Sequence, residues 1–310
     1  MKKTAKIILL LSLIIITQRL TAQQDAMFTH YMYNTLAVNP GYAGSRDALT
    51  VTALHRSQWV GFAGAPMTQT LTLHTPVKRD NIGLGFSFVN DRIGPLNNSS
   101  LYADFAYRIK LNEKSKLSIG IKGGVNMIRA KLNQLNLDQA NDNSFQVSDF
   151  LFAPNFGAGI YYSHERFYLG LSVPRLLENS YKAGASSSSI AIKERRHYFF
   201  IAGAVFRLSK NLELKPTTLV KMTVGAPIEA DFTANFILNK NLHLGAMYRT
   251  GDAFGALLGY NITEQLFLSY SFDWSYGLKT ITYHGGSHEL MLRYDFVYNV
   301  KQKIRSPRYF

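Results

Sequence analysis

Two groupings in this chain are of residue types that perform chemistry. Asp138, Asp142 and Asp149 have the loose spacing of oxygen ligands to a cation. A calcium loop, however, needs donors at its first, third and fifth positions and a glycine at the sixth. Here Ala140 holds the third position and no glycine holds the sixth. His284 and His288 are metal-ligand types, but the carboxylate beside them, Glu289, alternates to the opposite face of an extended chain. Ser–His hydrolysis needs both groups on one face, and no such pair can be placed. Gly-x-Ser-x-Gly, His-Glu-x-x-His and a phosphate-cradling lysine loop are all missing from the sequence. The expectation is a protein without enzymatic activity, cofactor or metal. Asn98-Ser-Ser and Asn261-Ile-Thr match a glycosylation pattern at chance frequency.

The residues that remain are suited to binding. Arg56-Ser-Gln58-Trp59-Val-Gly61-Phe62-Ala-Gly64-Ala-Pro66 and Asp91-Arg92-Ile93-Gly94-Pro95 combine arginine, aromatics and turn residues. Aromatic and arginine side chains are common anchors of protein interfaces. These twelve positions (Arg56, Gln58, Trp59, Gly61, Phe62, Gly64, Pro66, Asp91, Arg92, Ile93, Gly94 and Pro95) are the candidate partner-binding set. The other reading is that the two loops fold inward and brace the scaffold. Nearer the start, Phe28, Tyr31, Asn34, Asn39, Pro40 and Tyr42 lie in an aromatic segment whose Asn-Pro-Gly forms a fixed turn. Such a segment needs a surface, either inside the scaffold or on a periplasmic partner.

What positions these residues is period-two alternation. Leu290, Leu292, Tyr294, Phe296 and Tyr298 fall on one face; Glu289, Met291, Arg293 and Asp295 fall on the other. Leu266, Leu268, Tyr270, Phe272 and Trp274 repeat the pattern. One apolar, aromatic-tipped face and one charged face suit a membrane barrel with lipid outside and polar filling within. The alternative is a soluble β-sandwich. Fourteen strands are predicted, at about 48–60, 67–77, 81–90, 99–110, 116–129, 153–163, 166–173, 195–208, 212–221, 228–238, 241–250, 253–261, 265–275 and 287–298. Pro216 makes 212–221 the weakest, because proline donates nothing to a ladder. Every second connection is short and polar, the asymmetry of outer-membrane barrels, and an even strand count places both termini on the periplasmic side. The longest outer loops are predicted at about 130–152, 174–194 and 276–286, the second with a Ser186 to Ser189 tip.

The chain begins with Lys2, Lys3 and Lys6, then an apolar run from Ile7 to Ile16. That run is too short to span a bilayer and reads as a secretory signal over 1–22, with cleavage after Ala22. The remaining organisation is 23–47 as the aromatic segment (barrel mouth or plug), 48–298 as the barrel, and 299–310 as a basic tail. There is no cysteine, so disulfides, thiolate metal sites and a lipoprotein anchor are excluded. Removing the leader's four basic residues leaves 30 basic against 20 acidic, a net charge of +10. For an exported barrel this excludes nucleic acid as a partner and favours phosphorylated outer-membrane lipids or an acidic protein.

The inward faces carry both signs: Arg56, Asp104, Arg108, Lys122, Glu229, Asp231, Arg249, Asp273, Glu289, Arg293 and Asp295. Mixed signs fill a lumen, whereas open selective pores favour rings of one sign. A largely filled barrel is expected, with Asp273 and Arg293 pairing across the last two strands. Gly123-Gly124 and Gly157-Gly159 mark places where strands bend or something packs closely.

The Phe28-x-x-Tyr31-Met-x-Asn34 and Asn39-Pro-x-Tyr42-Ala-Gly-Ser45 elements, the Arg56 to Pro66 element and the Ser306-Pro-Arg-Tyr-Phe310 end together resemble the PorP/SprF family of type IX secretion in Bacteroidetes. Ala26, Thr29-His30 and Ser306 depart from the usual Pro, Ser-Gln and Cys. The resemblance implies an integral outer-membrane barrel of the secretion and gliding machinery that binds and anchors the C-terminal domain of a secreted surface adhesin. It implies other secretion or gliding components as partners, including periplasmic ring proteins, which the basic tail from Lys301 to Arg308 would meet. Two other functions compete: a diffusion channel or solute porin, and an outer-membrane lipid hydrolase.

Overall fold

The computed structural model describes residues 27–77, 81–131, 148–183, 190–276 and 285–296. Its strands are β1 (Leu49–Ser57), β2 (Met67–Val77), β3 (Ile82–Ile93), β4 (Leu96–Lys110), β5 (Ser115–Lys131), β6 (Ser148–His164), β7 (Phe167–Val173), β8 (Ser180–Ala183), β9 (Ile190–Lys193), β10 (His197–Ala204), β11 (Phe206–Arg207), β12 (Leu212–Thr223), β13 (Glu229–Leu238), β14 (Leu242–Arg249), β15 (Ala253–Asn261), β16 (Leu266–Ser275) and β17 (Ser287–Phe296). Every pairing is antiparallel. β1 to β7 pair in sequence, β7 pairs with β10, β10 with β12, and β12 to β17 in sequence; β17 returns to β1. The result is a closed barrel of fourteen staves, because β11 only extends the line of β10 and β8–β9 form a separate hairpin. Closure removes the unpaired edges that a lipid environment does not tolerate.

All fourteen predicted strands are present. The weakest, containing Pro216, is a barrel stave, and the proline leaves a visible mark. The β10–β12 ladder stops at Gly203 opposite Thr217 and resumes at Phe206 opposite Leu214. The missing N–H of Pro216 faces that gap, and Val205 instead donates to the carbonyl of Arg166.

The predicted 130–152 loop is shorter than expected, since β5 and β6 reach Lys131 and Ser148. The 174–194 connection holds the β8–β9 hairpin. Four-residue strands give too little alternation to be seen in sequence; here the buried Tyr181 packs with Ile128 against Leu96, Leu151 and Ala153. The predicted leader, 1–22, and the predicted tail, 299–310, lie outside the described residues, as do Ser186 to Ser189.

Leu49 lies opposite Phe296, so the start of β1 and the end of β17 share one rim, here the terminal rim. The turns joining staves at this rim are short where described: 111–114, 165–166, 208–211, 239–241 and 262–265. The opposite rim, the loop rim, carries 58–66, the turn at Gly94-Pro95, the hairpin, 224–228 and 250–252.

Outward positions expose Leu, Ile, Phe and Tyr, whereas inward positions are buried and largely polar. A soluble sandwich would reverse this, placing its apolar side chains between sheets.

Candidate functional site

The interior is occupied by the chain's own segment 27–47, which sits within the barrel and bonds to staves around its circumference. The Thr29 amide donates to Glu289 on β17 at 3.0 Å, and its hydroxyl donates to Asp273 on β16 at 2.6 Å. The Tyr31 hydroxyl meets Thr217 on β12 and Thr233 on β13. The Tyr33 hydroxyl meets His243 on β14. Asn34 donates to Thr70 and accepts from Thr72 on β2. Asn39 donates to the Ile160 carbonyl on β6. The Asn39 carboxamide also accepts from Gly41 N–H at 2.9 Å, with Pro40 opening a single 3-10 turn, Pro40–Tyr42. This is the fixed Asn-Pro-Gly turn. Tyr42 sets its ring edgewise on His74 and Tyr161. Phe28 is buried and lines a cavity of about 60 Å³ with Val38, Tyr102, Lys122 and Phe199.

Glycines on the staves make room for this segment. A Cβ on Gly120 would collide with the backbone of Pro40 and Gly41, and one on Gly159 with the Asn39 side chain. Gly159 belongs to one of the glycine pairs singled out in the sequence.

Charge is concentrated where the segment meets the wall. Arg56 is 1% exposed and lies 2.7 Å from Asp273 and 3.1 Å from Glu289. Glu289 also accepts from His30 N–H at 2.7 Å and contacts its Nδ1 at 2.6 Å. Arg46 forms a two-point contact with Asp295 at 3.2 and 2.9 Å. Arg108 reaches Asp47, Lys122 pairs with Asp104, Arg249 grips Asp231 through two nitrogens, and Lys221 meets Glu229. Buried pairs of this kind are weak evidence for net stability. Removing one partner is costly, because it leaves a buried charge uncompensated.

One expected pair does not form. Asp273 lies opposite Ser287 and Arg293 opposite Phe267, so six residues of strand, about 20 Å, separate their rows. Asp273 pairs with Arg56 instead, and Arg293 lies 3.9 Å from Asp295 and over the rings of Tyr33 and Phe267. Alternation told which face each residue occupies but not its height.

At the loop rim the Arg56 to Pro66 element is pinned on three sides. Gln58 N–H donates to the Pro66 carbonyl at 2.9 Å and closes the loop. Trp59, with φ +46°, donates to the Ser287 hydroxyl, while Val60 and Gly285–Gly286 exchange backbone bonds of 2.7 and 2.9 Å. Gly94 N–H donates to the Gly64 carbonyl at 2.9 Å, joining the two motif turns. Gly61 and Gly64 have φ of +95° and +76°, which explains their residue type.

The candidate partner set therefore divides. Arg56 is inside, and Asp91 accepts from inward Thr68 at 2.6 Å. Gln58, Trp59, Pro66, Gly94 and Pro95 are half-buried, while Gly61, Phe62, Gly64, Arg92 and Ile93 are exposed. Val60, Phe62 and Ile93 are 43%, 48% and 46% exposed, forming an apolar lip on a rigid frame.

Sequence reasoning missed a second polar knot under the hairpin. The buried Glu194 carboxylate accepts from Asn126 at 2.6 Å and from Asn155, Asn179 and Tyr181. Burial and the neighbouring Glu194 charge push the Tyr181 phenol up from its ordinary pKa. The inward phase of Asn126 and Asn155 was the only available signal. Thr29, His30, Arg46 and Asp47 were also missed. Of the residues weighed for chemistry, Asp138, Asp142 and His284 lie outside the described residues. His288 faces outward and meets the Tyr270 hydroxyl at 2.6 Å. Among the described residues no group of three His, Cys, Asp or Glu could hold a metal ion.

Solved structures align with this chain at low identity. A Pseudomonas aeruginosa FadL homologue aligns at 13% identity and TM-score 0.45, over 80% of this chain and 90% of that one. The CymD monoaromatic hydrocarbon channel aligns at 10% and 0.49, over 85% and 92%. The Pseudomonas putida toluene transporter TodX aligns at 8% and 0.45, over 86% and 95%. No curated protein matches the sequence. A family model described as type IX secretion system membrane protein PorP/SprF matches residues 20–294, from just before the aromatic segment into the last stave. The chain is thus an outer-membrane β-barrel belonging to the PorP/SprF family of type IX secretion.

Proposed function

We propose that this barrel is a partner-binding anchor: it receives the C-terminal domain of a secreted surface adhesin at the loop rim and holds it there. The observation that carries this reading is the pairing of a lumen filled by the segment 27–47 with a rigid, exposed apolar lip at Val60, Phe62 and Ile93. A filled lumen suits holding more than passage. A pre-ordered loop binds with little entropic cost, and half-exposed apolar groups ringed by glycine backbone accept a partner's side chains.

In this reading the terminal rim faces the periplasm, the leader is cleaved, and the basic tail meets periplasmic ring proteins or other secretion and gliding components. Arg56 and Asp91 support the loops from below instead of touching the partner.

Phe62→Ala with Ile93→Ala tests it. The full-length barrel should keep its heat-resistant migration while capture of the adhesin's C-terminal domain falls at least tenfold, the scale of two interface anchors. Undiminished capture, with the barrel folded, removes the lip from the interface. The competing channel reading predicts large, steady conductance of the native barrel in planar bilayers.

A further inference from the structure

The lipid-facing surface of the staves is almost free of charge. Across the fourteen staves, the described Lys, Arg, Asp and Glu side chains in the outward phase are Arg92, Arg129 and Lys131. The others, from Arg56 to Asp295, are in the inward phase. The three exceptions do not scatter. All lie at the loop rim on β3 and β5, flanking β4.

Register places them together. Arg92 lies opposite Met67 and Asn97, Asn97 opposite Arg129, and Arg129 opposite Phe150. Arg92 and Arg129 are therefore two strand spacings apart, about 10 Å, with an amide between them. Lys131 stands one outward step higher on the same stave as Arg129. Arg92 and Arg129 are exposed and Lys131 is half-buried. No carboxylate shares the row among the described residues; Asp91 points inward to Thr68.

Height matters as much as charge. Leu101, Phe105, Tyr107 and Ile109 mark the apolar band on β4, and Asn90 with Ser99 marks its upper margin. The arginine row is the next outward step, about 5 Å further along the membrane normal for staves tilted near 40°. That is headgroup depth. Phe150 and Phe152, 62% and 70% exposed, stand beside Arg129 with apolar surface for acyl chains. On β14 to β16 the outward rim residues are Tyr248, Phe254 and Trp274, without a cation, so this corner differs from the rest of the girdle.

We propose that Arg92, Arg129 and Lys131, with Asn97 between them, form a site for the phosphate groups of outer-leaflet lipids. Guanidinium forks match phosphate oxygens in two-point contacts, and the fixed spacing fits a headgroup with more than one phosphate. The lipid, and not a free phosphate, is the ligand, because the site opens sideways over hydrocarbon-facing side chains. This inference rests on the barrel fold, the strand register and the proposed orientation with the terminal rim in the periplasm; it does not depend on which partner the lip binds.

The test is native mass spectrometry of the full-length barrel with diphosphoryl lipid A, its dephosphorylated form, and inorganic diphosphate as separate probes. The wild type should retain diphosphoryl lipid A, and R92Q/R129Q/K131Q should bind it more weakly by on the order of tenfold or more. Dephosphorylated lipid should bind the wild type no better than it binds the triple variant. Equal retention by wild type and variant overturns the proposal, as does equal binding of the dephosphorylated lipid. Inorganic diphosphate binding as tightly as the lipid overturns the lipid as ligand. If the triple variant does not insert, R129Q alone reads the same loss at smaller amplitude, and K193Q/R195Q, beyond the staves, should leave retention unchanged.

Discussion

Glu289→Gln is the substitution expected to loosen the internal segment without harming the barrel. The carboxylate accepts from Thr29 N–H at 3.0 Å, His30 N–H at 2.7 Å and Arg56 at 3.1 Å, and contacts His30 Nδ1 at 2.6 Å. An amide of the same shape keeps one oxygen and turns its other end into a donor facing donors. Two charge-assisted bonds are lost, each worth about 1.5–3 kcal/mol. Breaking one partner of a buried ion network costs a similar total, about 3–5 kcal/mol. The backbone ladder around Glu289, opposite Arg56 and Ser271, is untouched, so the cost falls on docking of residues 27–47. A loss of about 4 kcal/mol multiplies the undocked fraction by roughly a thousand. Hydrogen exchange of the 27–47 amides should speed up by about that factor, while exchange in β3 to β5 stays unchanged. Glu264→Gln, at an exposed turn of the terminal rim, should change neither. Unaltered protection of 27–47 in a folded Glu289→Gln barrel would show that the network does not hold the segment.

Three further outcomes are expected. Arg56→Met and Asp273→Met should each destabilise the barrel, and the double variant should recover part of the loss, with a coupling of about 1–3 kcal/mol in thermal unfolding; Asp273 and Arg293 substitutions should simply add. Gly120→Val should displace the Pro40–Gly41 turn and expose the segment to protease, whereas Gly123→Ala, whose Cβ meets the Phe156 ring at an ordinary 3.5 Å, should be near neutral; equal effects would deny the close approach. Glu194→Gln should leave the barrel's melting intact and make the β8–β9 hairpin cleavable, because four side chains donate to that carboxylate; a hairpin as resistant as in the wild type would refute it.

Alternation alone determined most of the scaffold. It located fourteen staves, divided lipid-facing Leu290 and Phe272 from lumen-facing Glu289 and Asp273, and showed a lumen of mixed sign. The Asn39-Pro40-Gly41 turn was equally legible, since its chemistry is local. Tertiary structure decided everything that depends on height around a closed cylinder. Arg56 meets Asp273 across β17, and Asp273 misses Arg293, because stagger between staves sets which inward residues share a level. The path of residues 27–47 through the lumen, with His30 against Glu289 and Arg46 against Asp295, joins positions about 250 residues apart. The Glu194 knot likewise gathers β5, β6 and the hairpin. A period of two fixes direction but carries no information about distance along a strand, so partners emerged only once the barrel closed.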